Sequence, residues 1–204
     1  MSIGNLYIIS APSGAGKTSL VRQLIADVDK LVVSISHTTR PIRPGEVEGE
    51  DYFFVSQMQF QDLLANHDLL EHATVFDHSY GTAKTTVEHH LNQGLDVILE
   101  IDWQGAQQIR KIRPDSHSIF ILPPSTAVLE DRLQHRGQDD KQVIARRMRD
   151  AVTEMSHFNE FDYIVVNDVF EQALAELKSI VITNRLTQER QRQHLKTLIS
   201  ELLA

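Results

Sequence analysis

The stretch that decides the fold is "SAPSGAGKTSLVRQL", residues 10–24. It follows "NLYIIS", a short apolar run that reads as a buried strand, and it passes into helical spacing. Strand, glycine-bearing turn and helix together form the layout of a phosphate-binding loop, where backbone N–H groups at a helix N-terminus meet an anion. Gly14, Gly16, Lys17 and Thr18 stand in the order such a loop needs, but Ala11 occupies the place of its usual first glycine. A missing glycine matters only where φ must be positive, so the cradle is expected to survive with Ala11 at a negative φ. Lys17 would then reach the β- and γ-phosphates, and the Thr18 hydroxyl could ligate Mg2+. The loop residues Ala11, Pro12, Ser13, Gly14, Ala15 and Gly16 complete the expected phosphate contacts. An ordinary glycine-rich turn would explain two glycines but not Lys and Thr in this order after a β-run.

The chain around this loop is of ordinary globular composition. Its 204 residues, 41% hydrophobic and 24% charged, suit one domain or one domain with small insertions. A formal net charge of -8 argues against a broad nucleic-acid footprint. No cysteine is present, which excludes a disulfide framework and thiolate chemistry. "MSIGNLYIIS" lacks the long apolar core of a signal peptide, and no apolar run reaches membrane-spanning length. The expectation is a soluble, cytoplasmic protein that needs neither nucleic acid nor membrane as a partner.

Strand-like and helix-like stretches alternate along the chain, which predicts an α/β fold with a parallel sheet and helices on both faces. "LYIIS", "LVVSIS", "DVILEID", "HSIFIL" and "DYIVVND" are short and rich in Ile, Val and Leu, as strands covered on both sides should be. "KTSLVRQLIADV", "WQGAQQIRKI", "STAVLEDRLQHR" and "DKQVIARRMRDAVTEMSHF" carry helical spacing, with Ser125 as an N-cap and Pro114 as a helix stop. Two regions break the rhythm. Residues 36–94 read as an inserted subdomain, with strand-like pieces at "DYFFV" and "LLEHATVF" and a helix whose Ser56 and Gln59 are spaced as a capping box. Residues 126–150 read as a helix–turn–helix flap carrying Arg132, Arg136, Arg146, Arg147 and Arg149. The core is thereby left to residues 1–35, 95–125 and 151–204, and the tail from Phe170 looks helical throughout.

In "SISHTTRPIRPGE", Arg40 and Arg43 sit beside prolines that stiffen the loop. Two guanidiniums could grip a phosphate bidentately, or be two solvated loop arginines. Tyr52 and Tyr80 could add hydroxyl donors to the same anion, or be half-buried core tyrosines.

Several motifs together resemble one family. "SAPSGAGKTSL", "SISHTTRPIRPGEVEGEDYFF", "LLEHATVF…SYGT", "EIDWQGAQQIR", "RLQHRGQDD…IARRM" and "DYIVVND" have the order and spacing found in guanylate kinases, from about Asn5 to Asp168. The resemblance implies the P-loop nucleoside-monophosphate kinase fold: a core, a GMP-binding subdomain and a mobile lid. It implies ATP as donor, GMP as acceptor and Mg2+ as cofactor. By the same resemblance Ser36, Arg40, Arg43, Tyr52 and Tyr80 match residues around the GMP phosphate. Glu71 and Thr82 match those that read guanine, whose adjacent N1–H and N2–H donors suit one carboxylate. Alone, Glu71 reads as a solvated strand residue. Lys17, Arg43, Arg132, Arg136 and Arg147 match groups acting on the transferring phosphoryl, and Asn167 matches a residue near the adenine. Glu100 and Asp102 stand where the family usually has Asp-x-Asp; they are expected near GMP, with Asp102 reaching the metal through water. Glu100 is one methylene longer than the family's residue, and Ser79 replaces the first tyrosine of a frequent Tyr-Tyr-Gly.

Two other classes fit part of the pattern. "DWQG" matches the D-x-x-G element of a regulatory GTPase, but no N-K-x-D element accompanies it. Guanylate-kinase-like scaffold modules bind phosphorylated peptides, yet such modules usually lose the loop lysine or the lid arginines, which this chain keeps. Ten histidines show no ligand spacing and are read as solvated. The C-terminal segment is left either packing on the core or pairing in a homo-oligomer.

Overall fold

The computed structural model describes residues 3–75, 77–135 and 141–204, except for the side chains at 141 and 142. Five strands form a parallel sheet: β1 (Leu6–Ser10), β2 (Leu31–Val33), β7 (Asp96–Glu100), β8 (His117–Leu122) and β9 (Tyr163–Val166), in the order β2-β7-β1-β8-β9. The register sets Ile8 opposite Leu99 on one side and Ser118 on the other.

Alternation along these strands feeds two cores. Tyr7, Ile9, Ile98, Ile119 and Ile121 pack under α1 (Lys17–Asp27) and α7 (Phe170–Arg185), against Leu20, Leu24, Leu177 and Val181. Leu6, Ile8, Val97, Leu99 and Phe120 face the other way, against α3 (Lys84–Asn92) and α4 (Trp103–Ile112) through Val87, Leu91, Ala106 and Ile109. Each such buried aliphatic side chain contributes about 1.5–3 kcal/mol relative to exposure. Coverage on both faces explains why these strands read as continuous apolar runs. The α/β expectation is met.

A second sheet, in the order β4-β3-β6-β5, comprises β3 (His37–Thr38), β4 (Phe53–Phe54), β5 (Leu69–Val75) and β6 (His78–Ala83). It lies within the stretch read as an insertion, and the 56/59 capping box opens α2 (Gln57–Ala65) as expected. α3 follows at once and buries Val87 and Leu91 against the main sheet. Gln108 of α4 ties the edge of the second sheet to the core: its Oε1 accepts the His72 N–H at 3.1 Å and its Nε2 donates to the His72 carbonyl at 2.7 Å.

Local differences from the sequence reading have physical reasons. "LVVSIS" stops being a strand at Val33, where the chain leaves the main sheet for the second one. β6 has a weak strand signal because Gly81 breaks its pattern; a Cβ there would lie 2.7 Å from Leu69 and 3.1 Å from the Glu71 carbonyl. The stretch read as a flap, 126–150, holds α5 (Thr126–His135) and all but the last turn of α6 (Lys141–Met155), with Ser125 accepting the Val128 N–H at 3.2 Å. The helical tail breaks at Leu186 and Leu195 into α7, α8 (Gln188–His194) and α9 (Lys196–Leu202). Among the described residues no helix is long and apolar enough to cross a membrane.

Candidate active site

The carboxyl ends of the parallel strands gather the site. β1 runs into the phosphate loop, β7 into Asp102, β9 into Asn167, and β2 leads out toward Ser36. Ligands of open α/β sheets bind at this edge. Gly14 and Gly16 hold φ of 89° and 90°, in the left-handed region that side chains disfavour, whereas Ala11 does not adopt a positive φ. The loop is intact without its first glycine.

Asn167 and Arg132 brace this loop. Asn167, buried, donates from Nδ2 to the Ala15 carbonyl at 2.7 Å. Arg132 reaches from α5 and donates to the Ala15 carbonyl at 3.5 Å and the Asn167 carbonyl at 3.1 Å. Lys17 and Thr18 open α1, with Lys17 half-buried and Thr18 exposed. Ser13 donates its N–H to Glu154 Oε2 of α6 at 3.2 Å. Burial pushes the Glu154 carboxyl up to about 7; the Ser13 N–H and the Lys17 charge pull it down, and Asp102 and Asp150 push it up.

Among the residues expected to meet the acceptor, Glu71 is 3% exposed and its Oε1 accepts from the Thr82 hydroxyl at 2.6 Å. Thr82 in turn lies 3.4 Å from the Ser36 hydroxyl, so β5, β6 and the approach to β3 each supply one member of this chain. Burial drives the Glu71 carboxyl up to about 7, with the Asp102 charge adding to it and Thr82 opposing it. The first turn of α4 closes over this carboxylate: a Cβ on Gly105 would lie 2.5 Å from Glu71 Oε2. Asp102 caps α4, accepting the Gly105 N–H at 2.9 Å and the Gln104 side chain at 3.0 Å. Its charge acts on Glu71 and Glu154 alike.

Arg40 is 7% exposed and engaged as a fork, donating to Glu46 Oε2 at 3.0 Å and Oε1 at 2.7 Å. Its guanidinium lies 5.4 Å from the Tyr52 ring centroid, and Tyr52 meets Tyr80 edge-on at 5.9 Å. Burial and the neighbouring Tyr80 and Glu100 push the Tyr52 hydroxyl up to about 12. Glu100 ends β7, half-buried, on this side. Arg43 stands apart, its side chain exposed and its backbone N–H donating to Glu46 at 2.8 Å.

Comparison with known proteins decides the family. The family model described as guanylate kinase matches residues 3–184. A guanylate kinase of Methylococcus capsulatus is 58% identical over 203 residues, covering all of both chains. That of Salmonella typhimurium is 54% identical over 206 residues, again covering all of both. The chain belongs to the guanylate kinase family. The solved guanylate kinase of Anaplasma phagocytophilum, 32% identical, covers 97% of this chain and 96% of its own with a TM-score of 0.78. The family and P-loop kinase fold implied by the motifs are therefore both found.

Seen as a guanylate kinase, the chain brings Ser36, Glu71 and Thr82 into one hydrogen-bonded line, and Arg40, Tyr52 and Tyr80 into another cluster. Asn167 and Arg132 meet at the loop backbone. Arg147 is half-buried on α6, Arg146 and Arg149 are exposed, and Arg136 lies outside the described residues. Three neighbours of the expected site residues escape a sequence reading. Glu46 is the partner of Arg40, Glu154 the partner of the loop, and Gly105 the reason that α4 can approach Glu71. Glu154 is 141 positions from Ser13, and no local pattern signals a contact of that span. Gly105 could be noticed as a glycine in an otherwise helical run.

Proposed function

We propose that this chain transfers the γ-phosphoryl group of ATP to GMP, giving ADP and GDP in a reversible, Mg2+-dependent reaction. Membership of the guanylate kinase family brings this activity, and the buried Glu71 carboxylate beside Thr82 and Ser36 supports guanine as the base. Adenine has no adjacent pair of ring-edge donors for one carboxylate. Both substrates are free small molecules, so neither a nucleic acid nor a membrane surface takes part.

The GMP phosphate is the nucleophile and is anionic near neutral pH, so no strong general base is required. Repulsion between two polyanions opposes the reaction, and positioning and charge neutralisation overcome it. Lys17 and the loop amides of Gly14, Gly16, Lys17 and Thr18 hold the donor phosphates, with Asn167 and Arg132 fixing the loop that aims those amides. Arg40, Arg43, Tyr52 and Tyr80 hold the acceptor phosphate; Arg40 exchanges its Glu46 partner for it. Arg136 and Arg147 are assigned to the transferring group. The exposed Thr18 hydroxyl and the Asp102 carboxylate are hard oxygen donors that fit Mg2+, with Asp102 acting through water. When bound there, Mg2+ would neutralise phosphate charge. Glu100 is assigned to the acceptor side.

The direct test is ADP formation from ATP and Mg2+ with GMP, AMP, UMP or no acceptor. GMP-dependent turnover well above the other three is the expected result. Absence of acceptor-dependent turnover, with a phosphopeptide bound instead, would replace the kinase by a scaffold module.

A further inference from the structure

Three consecutive residues of the phosphate loop are each held by the α5–α6 hairpin. Ala15 takes the Arg132 guanidinium on its carbonyl. Gly14 lies under two leucines of α5, since a Cβ on it would meet Leu129 and Leu133 at 3.1 Å each. Ser13 donates its N–H to Glu154 near the end of α6. The same two leucines pack with Met148, Ala151 and Met155 of α6, so the hairpin has its own small core directly above the loop. A cation on a carbonyl and a carboxylate on an amide fasten that core to the loop at two points of opposite polarity.

Glu154 follows Arg147 by seven residues on one helix. Seven residues advance an α-helix by roughly 10 Å and bring the side chain back to within about 20° of the same direction. The two side chains therefore lie on one stripe of α6, with the loop under its Glu154 end. We propose that Glu154 is a positioning residue: by accepting the Ser13 N–H it docks α6 on the phosphate loop and thereby sets the aim of Arg147 at the phosphates that loop holds. The proposal rests on the kinase reading and on the role given to Arg147 within it. Glu154 touches no reacting atom in this scheme. Its effect passes through the placement of the arginine, where a displacement of 1 Å can cost ~10²-fold in rate.

The test uses the full-length chain and steady-state kinetics with ATP and GMP. Glu154→Gln keeps an oxygen that accepts the Ser13 N–H at the same reach, while Glu154→Asp keeps the charge but falls short by one methylene. The expected result is near-wild-type kcat for Glu154→Gln and a loss of about tenfold or more for Glu154→Asp, with the ATP KM changed less than about threefold. Combined with Arg147→Ala, Glu154→Asp should cost little beyond Arg147→Ala alone, because both act through one group. Multiplying losses in the double variant would overturn the proposal, as would Glu154→Gln falling as far as Glu154→Asp. Wild-type kcat in Arg147→Ala would overturn it by removing the residue being aimed. Loss of GMP-dependent turnover in the unmodified chain would instead refute the kinase reading itself, a distinguishable failure. Melting temperatures of the conservative variants guard against a folding artefact.

Discussion

Asn167 donates to the Ala15 carbonyl at 2.7 Å from the space that a Cβ on Gly16 would fill; that atom would lie 2.3 Å from Asn167 Nδ2. The central strand and an edge strand of the main sheet meet in this contact: Gly16 follows β1 and Asn167 follows β9. The glycine is thus needed twice, for its φ of 90° and for the closeness of the amide.

Asn167→Ala removes the brace and leaves the Ala15 carbonyl to Arg132 alone. The expected cost is about 1–3 kcal/mol of stability, with an ATP KM raised severalfold and a GMP KM left unchanged. Gly16→Ala should be worse, and adding Asn167→Ala to it should relieve the clash but not the positive φ. Steady-state kinetics with each substrate varied separately decide this; equal rises in both KM values would count against a donor-side brace.

The guanine-reading role proposed for Glu71 requires its carboxylate to stay where Gly105 lets it stand. Glu71→Ala should erode the preference for GMP over AMP by on the order of 2–3 kcal/mol, since the paired donors of guanine lose their acceptor. Gly105→Ala should show part of the same loss without touching the carboxylate chemically, because its Cβ would press on Glu71 Oε2 at 2.5 Å. Unchanged selectivity in Glu71→Ala, measured as the ratio of kcat/KM for the two acceptors, would take the base-reading role from this residue.

The same carboxyl makes stability depend on pH. Its ordinary value of 4.5 rises to about 7 in the folded chain, mainly through burial. The protonated form is the one the fold tolerates, so its stabilisation is complete below 4.5 and is lost as pH climbs through 7. Above that the ionised Glu71 costs on the order of 3 kcal/mol. Glu71→Gln keeps an oxygen for the Thr82 hydroxyl and cannot ionise. It should therefore melt higher than the natural chain at pH 8, and this advantage should shrink toward pH 5. Calorimetric melts across that range check the sign; an advantage that grows as pH falls would contradict it.

The sequence made legible what local chemistry encodes. The loop from Ser10 to Thr18 carries its own strand, turn and helix start, and the covered strands announce themselves as apolar runs. Capping at Ser56 and Ser125 was equally readable, because a cap is a contact between near neighbours. Glu71 was different: its residue type and spacing read as a solvated strand, and only the family resemblance gave it a base to recognise. Glu46 and Glu154 are invisible, since carboxylates carry no periodic signal and their partners depend on how the turn at 43–46 and the α5–α6 hairpin fold back. The tail was undecided for the same reason. Its anchor is a charge that the sequence shows as one more aspartate at the head of a strand.

That anchor is Asp96, fully buried, accepting from Arg185 and Arg190 at 2.7 Å each and from the Asn5 N–H at 2.7 Å. One carboxylate thus holds the end of α7, the start of α8 and the chain before β1. Removing one member of such a buried set strands the others, which typically costs about 3–5 kcal/mol. Asp96→Ala should accordingly lower the melting temperature by roughly 10 °C for a chain of this size. Asp96 opens β7 and Glu100 closes it, so a strand's length of about 13 Å separates the anchor from the acceptor side. Turnover of Asp96→Ala at a temperature where it remains folded should therefore stay near that of the natural chain. A large loss of kcat without a loss of stability would mean that the tail acts on the site, and the anchor would then be more than structural.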